Sequence, residues 1–361
     1  MKDNVNISLS VVDIEQKYTV NPAEPTYGKG IVSWGIDNTL PSLLSTAYDS
    51  SASLKATIDQ SLNYIKGDGI VISDDAAKWR EEVNRRGTTM AELVEHIAFD
   101  YLTYGNFAVQ IIYNKLGIPV ELFPLDVARC RLNDTGDKVY YSQKLWTKYQ
   151  TKSEEYPRFG HADFDPEHPT QIYFYNGTGI RRVYNRAPWF SALDDVLTEI
   201  EASHYSLNSV SNGFSAKYIL CFPQSSNLTD EQKKAIEDGI KTKFTGPDTD
   251  SNFMLYWSDG KSQALDIKKI ESNEDPDHYI AIRNGARENI FTAMRISPLL
   301  CGLSLSTTGF ATQEFSDSYK LYDRTVAEPI RRLIETAVSK MTAVDHAIEI
   351  KPFVINFDNA D

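Results

Sequence analysis

Residues 187–220, APWFSALDDVLTEIEASHYSLNSVSNGFSAKYIL, decide the fold of this 361-residue chain. Pro188 stands where the first turn of a helix tolerates a missing amide hydrogen, and Gly213 stands where a helix ends. The apolar side chains between them recur at helical spacing: Trp189, Leu193, Val196, Ile200, Leu207 and Val210, followed by Phe214, with His204 on the same stripe. This pattern predicts a helix about 39 Å long, followed by a strand at KYILCF. Such a helix is too long to be buried all round in a small domain.

A small module follows the strand. LTDEQKKAIEDGIKTKF predicts a helix whose capping box pairs Thr229 with Gln232. NFMLYWSDGKSQALDIKKI predicts a hairpin turning at Asp259-Gly260. A second long helix is expected at about 277–295. Two long helices therefore bracket a β-α-β-β module, which is an unusual way to build an enzyme.

The next stretch, ISPLLCGLSLSTTGF at 296–310, carries no charge. Pro298 predicts the end of the helix, and Gly302 permits a sharp change of direction. Beyond this corner, 304–309 is a small, neutral loop. The most regular seam of the chain follows it from Phe315 to Met341, with a bend expected at Pro329, and AIEIKPFVINF predicts a final strand.

The N-terminal half mixes both kinds of element. Residues 1–40 are expected to form an extended arm, 41–66 one helical run ended by KGDG, and 74–86 a charged, partly helical stretch. TTMAELVEHIAFDYLTYG predicts a helix capped by Thr88 or Thr89. Strands are predicted at NFAVQIIYN, GIPVELFPL, ARCRL, KVYYSQKLW, QIYFYN and RRVYN, with a polar insertion at about 150–170. The first three are expected to share a small antiparallel sheet, and the fold class is α+β.

Composition excludes several kinds of protein. A net charge of −13 argues against a broad basic surface that grips nucleic acid, although it suits a protein past which DNA slides. The three cysteines form no Cys-x-x-Cys pair, which disfavours a zinc knuckle and fits a reducing compartment. We find no secretory signal pattern and no apolar run long enough to span a membrane, so we expect assembly in a cytosol.

Motifs of catalysis are missing as well: there is no GxSxG, HExxH, Walker loop or GxGxxG. HADFDPEH, with His161, Asp163, Asp165 and His168, has metal-like spacing, but a solvated loop is the favoured interpretation, and DTDSN at 248–252 is read as a turn. We therefore predict no catalytic residue, no metal and no cofactor.

Seven ionisable residues outside that loop have two interpretations each. His204 is expected to be packed or interfacial, and Arg283 with Arg287 to be solvated or to form salt bridges between subunits. Four lysines make the small module locally basic, either as a solvated helix face or as a docking patch for an acidic partner or a DNA backbone: Lys233, Lys234, Lys241 and Lys243.

The order of these parts resembles the portal proteins of tailed double-stranded DNA phages. The resemblance is carried by six segments over about 280 residues. They are IDQSLNYIKGDGI, YLTYGNFAVQIIYNKLGIPVELFPLDVARCRL, the stretch quoted first, NLTDEQKKAIEDGIKTKFTGPDTDSNFMLYWSDG, ENIFTAMRISPLLCGL and FSDSYKLYDRTVAEPIRRLIE. Many relatives carry a helical crown beyond the final strand, whereas few residues follow Met341 here.

The resemblance implies a homo-oligomeric ring, a dodecamer, at one vertex of the capsid in the virion, assembled in the cytoplasm of a bacterial host. It implies these parts: wing 1–187, stem helix 188–214, clip 215–275, second stem helix 276–296, turn and tunnel loop 297–313, long helix 314–341, and terminal strand with residual crown 342–361. The implied partners are further copies of the chain, the large terminase, a head-tail adaptor, the major capsid protein and passing double-stranded DNA, without a membrane.

Three sets of site residues follow from the resemblance. The DNA-channel residues of the tunnel loop are Ser304, Leu305, Ser306, Thr307, Thr308 and Gly309. The partner-docking residues of the clip are Lys233, Lys234, Lys241 and Lys243. The subunit-interface residues of the stem are Trp189, Leu193, Ile200, His204, Arg283 and Arg287.

Two alternatives stay open at this point. One is another structural protein of the head-tail connector or of head morphogenesis, although such proteins are usually shorter and lack the helix-clip-helix order. The other is a metal-dependent nuclease that uses the carboxylates of HADFDPEH.

Overall fold

The computed structural model describes residues 26–27, 30–147, 152–161, 164–177, 183–211, 217–223, 229, 231, 234, 253–258, 266–270, 276–303 and 312–355. It contains both helices and sheets, as the sequence predicted. The chain divides into two compact units, Met1–Val196 with Glu288–Asp361 and Leu197–Arg287. Each unit is described by itself.

Seven α-helices occur among the described residues: α1 Leu40–Ser50, α2 Ala52–Lys66, α3 Met90–Tyr104, α4 Leu193–Ser211, α5 Pro276–Met294, α6 Thr312–Tyr322 and α7 Glu328–Thr342. In the first unit α2 and α3 pack on each other, and α7 packs against both. Their contact faces are fully buried apolar side chains, among them Leu54, Ile58, Leu93, Ile97, Ile334 and Val338. This three-helix contact forms part of the buried apolar core of the first unit.

The helix α3 begins at a threonine cap, as predicted; the cap is Thr89 rather than Thr88, and it forms a capping box with Glu92. Its hydroxyl oxygen accepts from the amide of Glu92 at 3.2 Å, and the Glu92 carboxylate accepts from the amide of Thr89 at 2.7 Å. Gly105 ends the helix with a φ of 73°. A side chain at Gly105 would collide with the backbone of Arg186, so both the turn and the close packing require glycine there.

The single helical run predicted for 41–66 is wrong. The helix breaks at Ser51, whose backbone is extended and whose hydroxyl oxygen accepts from the amide of Leu54 at 3.1 Å. A serine can satisfy a free amide at a helix start, so Ser51 begins α2 instead of continuing α1. The predicted end at KGDG is confirmed, since α2 stops at Lys66.

Among the described residues of the first unit, the strands form four small antiparallel sheets. Their bounds are β1 Thr26–Tyr27, β2 Ile31–Val32, β3 Ile70–Ile72, β4 Phe107–Tyr113, β5 Pro119–Leu125, β6 Cys130–Leu132, β7 Lys138–Tyr141, β8 Glu154–Pro157, β9 Thr170–Tyr175 and β13 Ile348–Ile350. The sheet orders are β1-β2, β5-β4-β9, β6-β7-β8 and β13-β3. The final strand is thus present but short, and the polar insertion holds β8.

ARCRL does not share a sheet with the two strands before it, contrary to the prediction. The Asp126 carboxylate accepts from the amide of Ala128 at 3.0 Å and begins the 3₁₀ turn Val127–Arg129. Aspartate at such a position stabilises a turn, which redirects the chain between β5 and β6. The strand β6 then pairs with β7, with Arg131 opposite Tyr140.

Two further segments differ from the prediction for one shared reason. Residues 31–35 of the predicted arm are buried, and residues 183–185 are not a strand. The rings of Trp34 and Tyr184 stack at 4.5 Å, and the Tyr184 hydroxyl donates to the carbonyl oxygen of Val32 at 2.8 Å. Burying these two large rings stabilises both segments more than an exposed arm or a lone strand would.

The second unit contains a three-stranded sheet of β10 Lys217–Pro223, β11 Phe253–Ser258 and β12 Asp266–Ile270. The predicted hairpin of β11 and β12 is wrong, because β10 lies between them. β11 runs parallel to β10, and β12 runs antiparallel to it. Residues 224–252 give the chain the length that a parallel crossover needs, and β12 then pairs with the free edge of β10.

The long C-terminal helix is continuous but not uniform. Between α6 and α7 the segment Asp323–Ala327 is π-helical. Pro329 lies directly beyond it and has no amide hydrogen to donate within the helix. The wider π turn accommodates this missing donor where a bend was predicted.

Candidate functional site

The DNA-channel residues predicted from the sequence, Ser304 to Gly309, lie outside the described residues. The structure does describe the chain on both sides of them. The preceding side is the corner 296–303, and the following side is α6. We call these two flanks the loop anchors.

The first anchor has the predicted corner, but Pro298 begins a separate 3₁₀ turn instead of ending the helix α5. The helix α5 ends before Pro298, where Arg295 has a φ of 54° and the amide of Ile296 donates to the carbonyl oxygen of Phe291 at 3.2 Å. Pro298 then begins the 3₁₀ turn Pro298–Cys301, and Gly302 closes it with a φ of 78°. Proline at the start and glycine at the end is the arrangement that a short helical turn favours.

This corner is held against α2 by Tyr64, which is 1% exposed. The Tyr64 hydroxyl donates to the carbonyl oxygen of Leu300 at 3.1 Å. Beside it the Cys301 thiol donates to the carbonyl oxygen of Ala56 at 4.0 Å. Burial raises the pKa of Cys301 to about 12, so the thiol stays protonated at neutral pH and is not a nucleophile.

The second anchor meets the same tyrosine. The ring centroids of Tyr319 and Tyr322 lie 5.1 and 5.7 Å from that of Tyr64. The Tyr319 hydroxyl donates to the carbonyl oxygen of Phe353 at 2.6 Å, and the Phe353 ring lies 5.5 Å from Tyr64. One buried side chain therefore joins the chain before the loop, the chain after it and the C-terminal segment.

A buried arginine completes the arrangement. Arg331 is 4% exposed; its Nη1 donates to the carbonyl oxygen of Tyr64 at 3.0 Å, and its Nη2 donates to Asp323 Oδ1 at 2.7 Å. Asp323 lies in the π-helical segment, so the ion pair spans that segment and connects it to α2. A buried guanidinium needs such partners to offset its lost hydration.

Sequence analysis missed this arrangement, although a signal was present. Arg331 lies four residues after Ala327, three before Ile334 and seven before Val338, all of which are buried. A charged residue on the apolar stripe of a helix indicates a buried polar partner. The position of Tyr64 opposite it depends on tertiary packing and has no comparable signal.

The predicted stem residues differ in their surroundings. Trp189 is fully buried and Leu193 is 5% exposed, so their apolar surface packs within this chain. Ile200 and Arg287 are half-buried, whereas His204 and Arg283 are exposed.

Of the four clip lysines, only Lys234 lies among the described residues, where it is exposed and helical. Lys233, Lys241 and Lys243 lie outside them. The predicted docking patch as a whole therefore lies outside the part of the chain that the structure describes.

The described residues of the metal-like loop form local hydrogen bonds. His168 Nδ1 and Asp165 Oδ2 lie 3.0 Å apart, and the Asp165 carboxylate also accepts from the amide of Glu167 at 2.9 Å. These two hydrogen bonds lower the pKa of Asp165. Asp163 lies outside the described residues, and within them no three His, Cys, Asp or Glu side chains are arranged to hold a metal.

With the geometry in place, the chain was compared with known proteins. The sequence model of the phage portal protein family matches residues 52–357. Among the described residues, no helix is long and apolar enough to cross a membrane.

Solved structures resemble the fold. A chain of the neck of a native gene transfer agent (GTA) particle, computed with C12 symmetry, has a TM-score of 0.57 at 18% identity, and the match covers 92% of this chain and 88% of the other. A chain of the native GTA virion has a TM-score of 0.56 at 17% identity, with 91% and 86% covered. An HK97-family phage portal protein from Corynebacterium diphtheriae has a TM-score of 0.56 at 14% identity, with 85% and 93% covered.

Proposed function

The chain belongs to the phage portal protein family, and from that premise we propose that its copies form a ring at one capsid vertex through which double-stranded DNA is packaged and ejected. As a portal protein it is a structural component of the virion and not an enzyme. The nuclease interpretation is therefore abandoned. What remains to be proposed is how the parts of this chain serve that function.

We assign the parts to the division of portal subunits that the sequence suggested. The wing is 1–187, completed by the long helix 314–341 and the terminal strand with a residual crown, 342–361. The stem helices are 188–214 and 276–296, the clip is 215–275, and the turn and tunnel loop are 297–313. Terminase and then a head-tail adaptor dock on the clip through Lys233, Lys234, Lys241 and Lys243, and the major capsid protein surrounds the ring.

The joining of both loop anchors at Tyr64 is the observation that supports a channel role for the loop. A segment that contacts moving DNA has to transmit force to the body of the subunit without being pulled out of place. Tyr64, Arg331 and Asp323 connect the anchors to the core of the first unit through two hydrogen bonds and an ion pair. The loop itself is uncharged, so it can touch a phosphate backbone without gripping it.

A packaging assay tests the channel role. We expect replacement of Ser304, Ser306 and Thr308 by Asp or Lys to reduce the DNA packaged per capsid, because a lysine holds phosphate and an aspartate repels it. Ring assembly should be unchanged, since the anchors are untouched. Normal packaging by these variants, or loss of rings, would count against a channel role. Replacement of the same residues by Ala is the matched control.

For the subunit contacts we propose four of the predicted stem residues: Ile200, His204, Arg283 and Arg287. Trp189 and Leu193 position the first stem helix instead, because their side chains are buried in this chain. The dodecameric number is proposed from the family resemblance and from the C12 symmetry of the GTA neck, which is a property of that particle.

A further inference from the structure

The two-stranded sheet of β3 and β13 has an open edge. The amide of Ser73 donates to the carbonyl oxygen of Ala347 at 3.0 Å, and in an antiparallel ladder every second residue bonds to the partner strand. Ile70 and Ile72 are the residues in between, so their backbone amides and carbonyls point away from β13. Among the described residues, none forms a hydrogen bond with these four groups.

The other edge of this sheet is closed by α7. The amide of Ile350 on β13 donates to Glu335 Oε1 at 2.7 Å, and Ile350 is 3% exposed. On the open side Ile70 and Ile72 are half-buried, and Val71 between them is 42% exposed. An open strand edge is a template for a further strand, and a two-stranded sheet gains stability from a third.

The first residues of the chain have the sequence pattern of such a strand. Residues 4–11, NVNISLSV, alternate polar and apolar side chains at every position. Strict alternation is typical of a strand with one face buried and the other in solvent. This segment lies outside the described residues, and the family match begins only at residue 52.

The two faces of β3 match this alternation. The register pairs Ile70 with Ile350 and Ile72 with Ile348, and both β13 residues are buried. Residues opposite each other in a ladder share a face, so Ile70 and Ile72 lie on the core side of the sheet and Val71 lies on the solvent side. A strand beside β3 would place the apolar residues of 4–11 over the half-buried isoleucines and leave its asparagines and serines in solvent.

The length of the arm allows this contact within one chain. The strand β1 begins at Thr26, and an extended stretch of residues 12–25 spans up to about 50 Å. A compact unit of this size has a radius of gyration of about 18 Å. The segment 4–11 is therefore within reach of β3 of its own chain.

We propose that residues 4–11 add to the open edge of β3 as a third strand within the same chain. The added strand supplies hydrogen-bond partners for the outward backbone groups of Ile70 and Ile72 and covers their side chains. It also closes the edge against association with other chains. Third-strand addition does not depend on the proposed ring.

Disulfide trapping tests the pairing. Val71→Cys is combined, in four double variants, with one substitution at a polar position of the segment: Asn4→Cys, Asn6→Cys, Ser8→Cys or Ser10→Cys. Side chains on one face of neighbouring strands lie close enough for a disulfide, so we expect at least one double variant to link within a single chain. On a non-reducing denaturing gel the linked product migrates as one chain, at a position that a reducing agent shifts.

The other face of the segment provides the matched control. Ile7→Cys combined with Val71→Cys places the two thiols on opposite faces, and this variant should remain unlinked. Absence of a disulfide in all four test variants, with an unchanged circular dichroism spectrum, would contradict third-strand addition, and so would equal linking of the control. Covalent dimers would show that the strand comes from another copy, which contradicts addition within one chain.

Hydrogen exchange provides an independent measurement without added cysteines. Ile7→Asn removes an apolar contact of the added strand, so the amides of Ile70 and Ile72 should exchange faster. We expect the peptide covering 68–73 to take up about two more deuterons at early times than it does in the unsubstituted chain. Ser8→Asn, at a polar position, is the matched control and should leave the uptake unchanged. Equal uptake in both variants would contradict the pairing.

Discussion

Tyr64 donates a hydrogen bond from its buried hydroxyl to the carbonyl oxygen of Leu300, over 236 residues of sequence and 3.1 Å of space. Removal of that hydroxyl leaves the carbonyl of a buried residue without its donor. We therefore expect Tyr64→Phe to lower the free energy of unfolding of the first unit by about 1–3 kcal/mol. Urea unfolding monitored by fluorescence measures this change. Tyr141→Phe, at a half-buried position on β7, is the control, and an equal loss in both variants would contradict the anchor role.

Arg331 and Arg332 are adjacent but differ in burial, and so they form a matched pair. The side chain of Arg331 is 5% exposed in its ion pair with Asp323, whereas that of Arg332 is 70% exposed in its pair with Glu328. Loss of Arg331 leaves the Asp323 carboxylate without its counterion. Arg331→Met should therefore lower the free energy of unfolding by about 3 kcal/mol. Arg332→Met should lower the free energy of unfolding by only about 0–1 kcal/mol, because ion pairs at the surface contribute little to stability. Similar losses from both substitutions, in the same unfolding assay, would show that the buried pair is not a special contributor.

Asp100 on α3 predicts a pH dependence of stability. Its burial, with a smaller effect of the Asp126 charge, holds the pKa of its carboxyl well above the ordinary value. The folded state therefore binds this proton more tightly than the unfolded state, and stability falls as pH rises above about 4. His96 Nε2 lies 3.5 Å from the same carboxylate, and the amide of Val127 donates to it at 3.3 Å.

The substitution Asp100→Asn keeps an acceptor for Val127 and removes the titration. Its gain in unfolding free energy over the unsubstituted chain should be larger at pH 8 than at pH 4, as measured by urea unfolding at both values. The exposed Asp75→Asn is the control. A gain for Asp100→Asn that does not change with pH would mean that the buried carboxyl does not titrate in this range.

The clip lysines predict a docking effect that is separate from stability. Charge reversal at Lys233 and Lys234 should weaken binding of terminase or adaptor, because it removes attraction for an acidic partner. The thermal midpoint should change little, since Lys234 is exposed and surface substitutions rarely exceed about 0.5 kcal/mol. Binding by surface plasmon resonance, with Lys115→Glu/Lys144→Glu as a control of equal charge change, tests this. Equal binding by both double variants would remove the clip lysines from the docking surface.

Local chemistry predicted the ends of several elements. The cap of α3 at Thr89, the end of α3 at Gly105 and the end of α2 at KGDG each depend on a few adjacent residues. The structure contains all three. Ser51 carries the same kind of signal, but the apolar periodicity on both sides of it favoured one long helix. The two helices share a periodic pattern because both pack on the same core.

Pairing between distant segments was much less predictable. An Asp-Gly turn between β11 and β12 indicates a hairpin, yet the partner of both strands is β10. Sheet order depends on which edges the rest of the unit leaves free, and no short window of sequence contains that information. The stacking of Trp34 on Tyr184 joins residues 150 positions apart for the same reason.

In the candidate site, too, local turns were predictable from the sequence and contacts between distant segments were not. The corner at Pro298 and Gly302 was predicted from residue types alone, whereas the contacts of Tyr64 with both anchors depend on how α2, α6 and α7 pack. The long apolar stripe of α4 was visible in the sequence, but its burial at Val196 and exposure at Leu207 were not.

Ring formation is the central claim, and electron microscopy of the purified full chain tests it most directly. We predict closed rings with a central hole wide enough for a DNA duplex, without cleavage of DNA when magnesium is added. Particles that remain single folded chains at high concentration, together with magnesium-dependent cleavage of DNA, would contradict the proposed portal function.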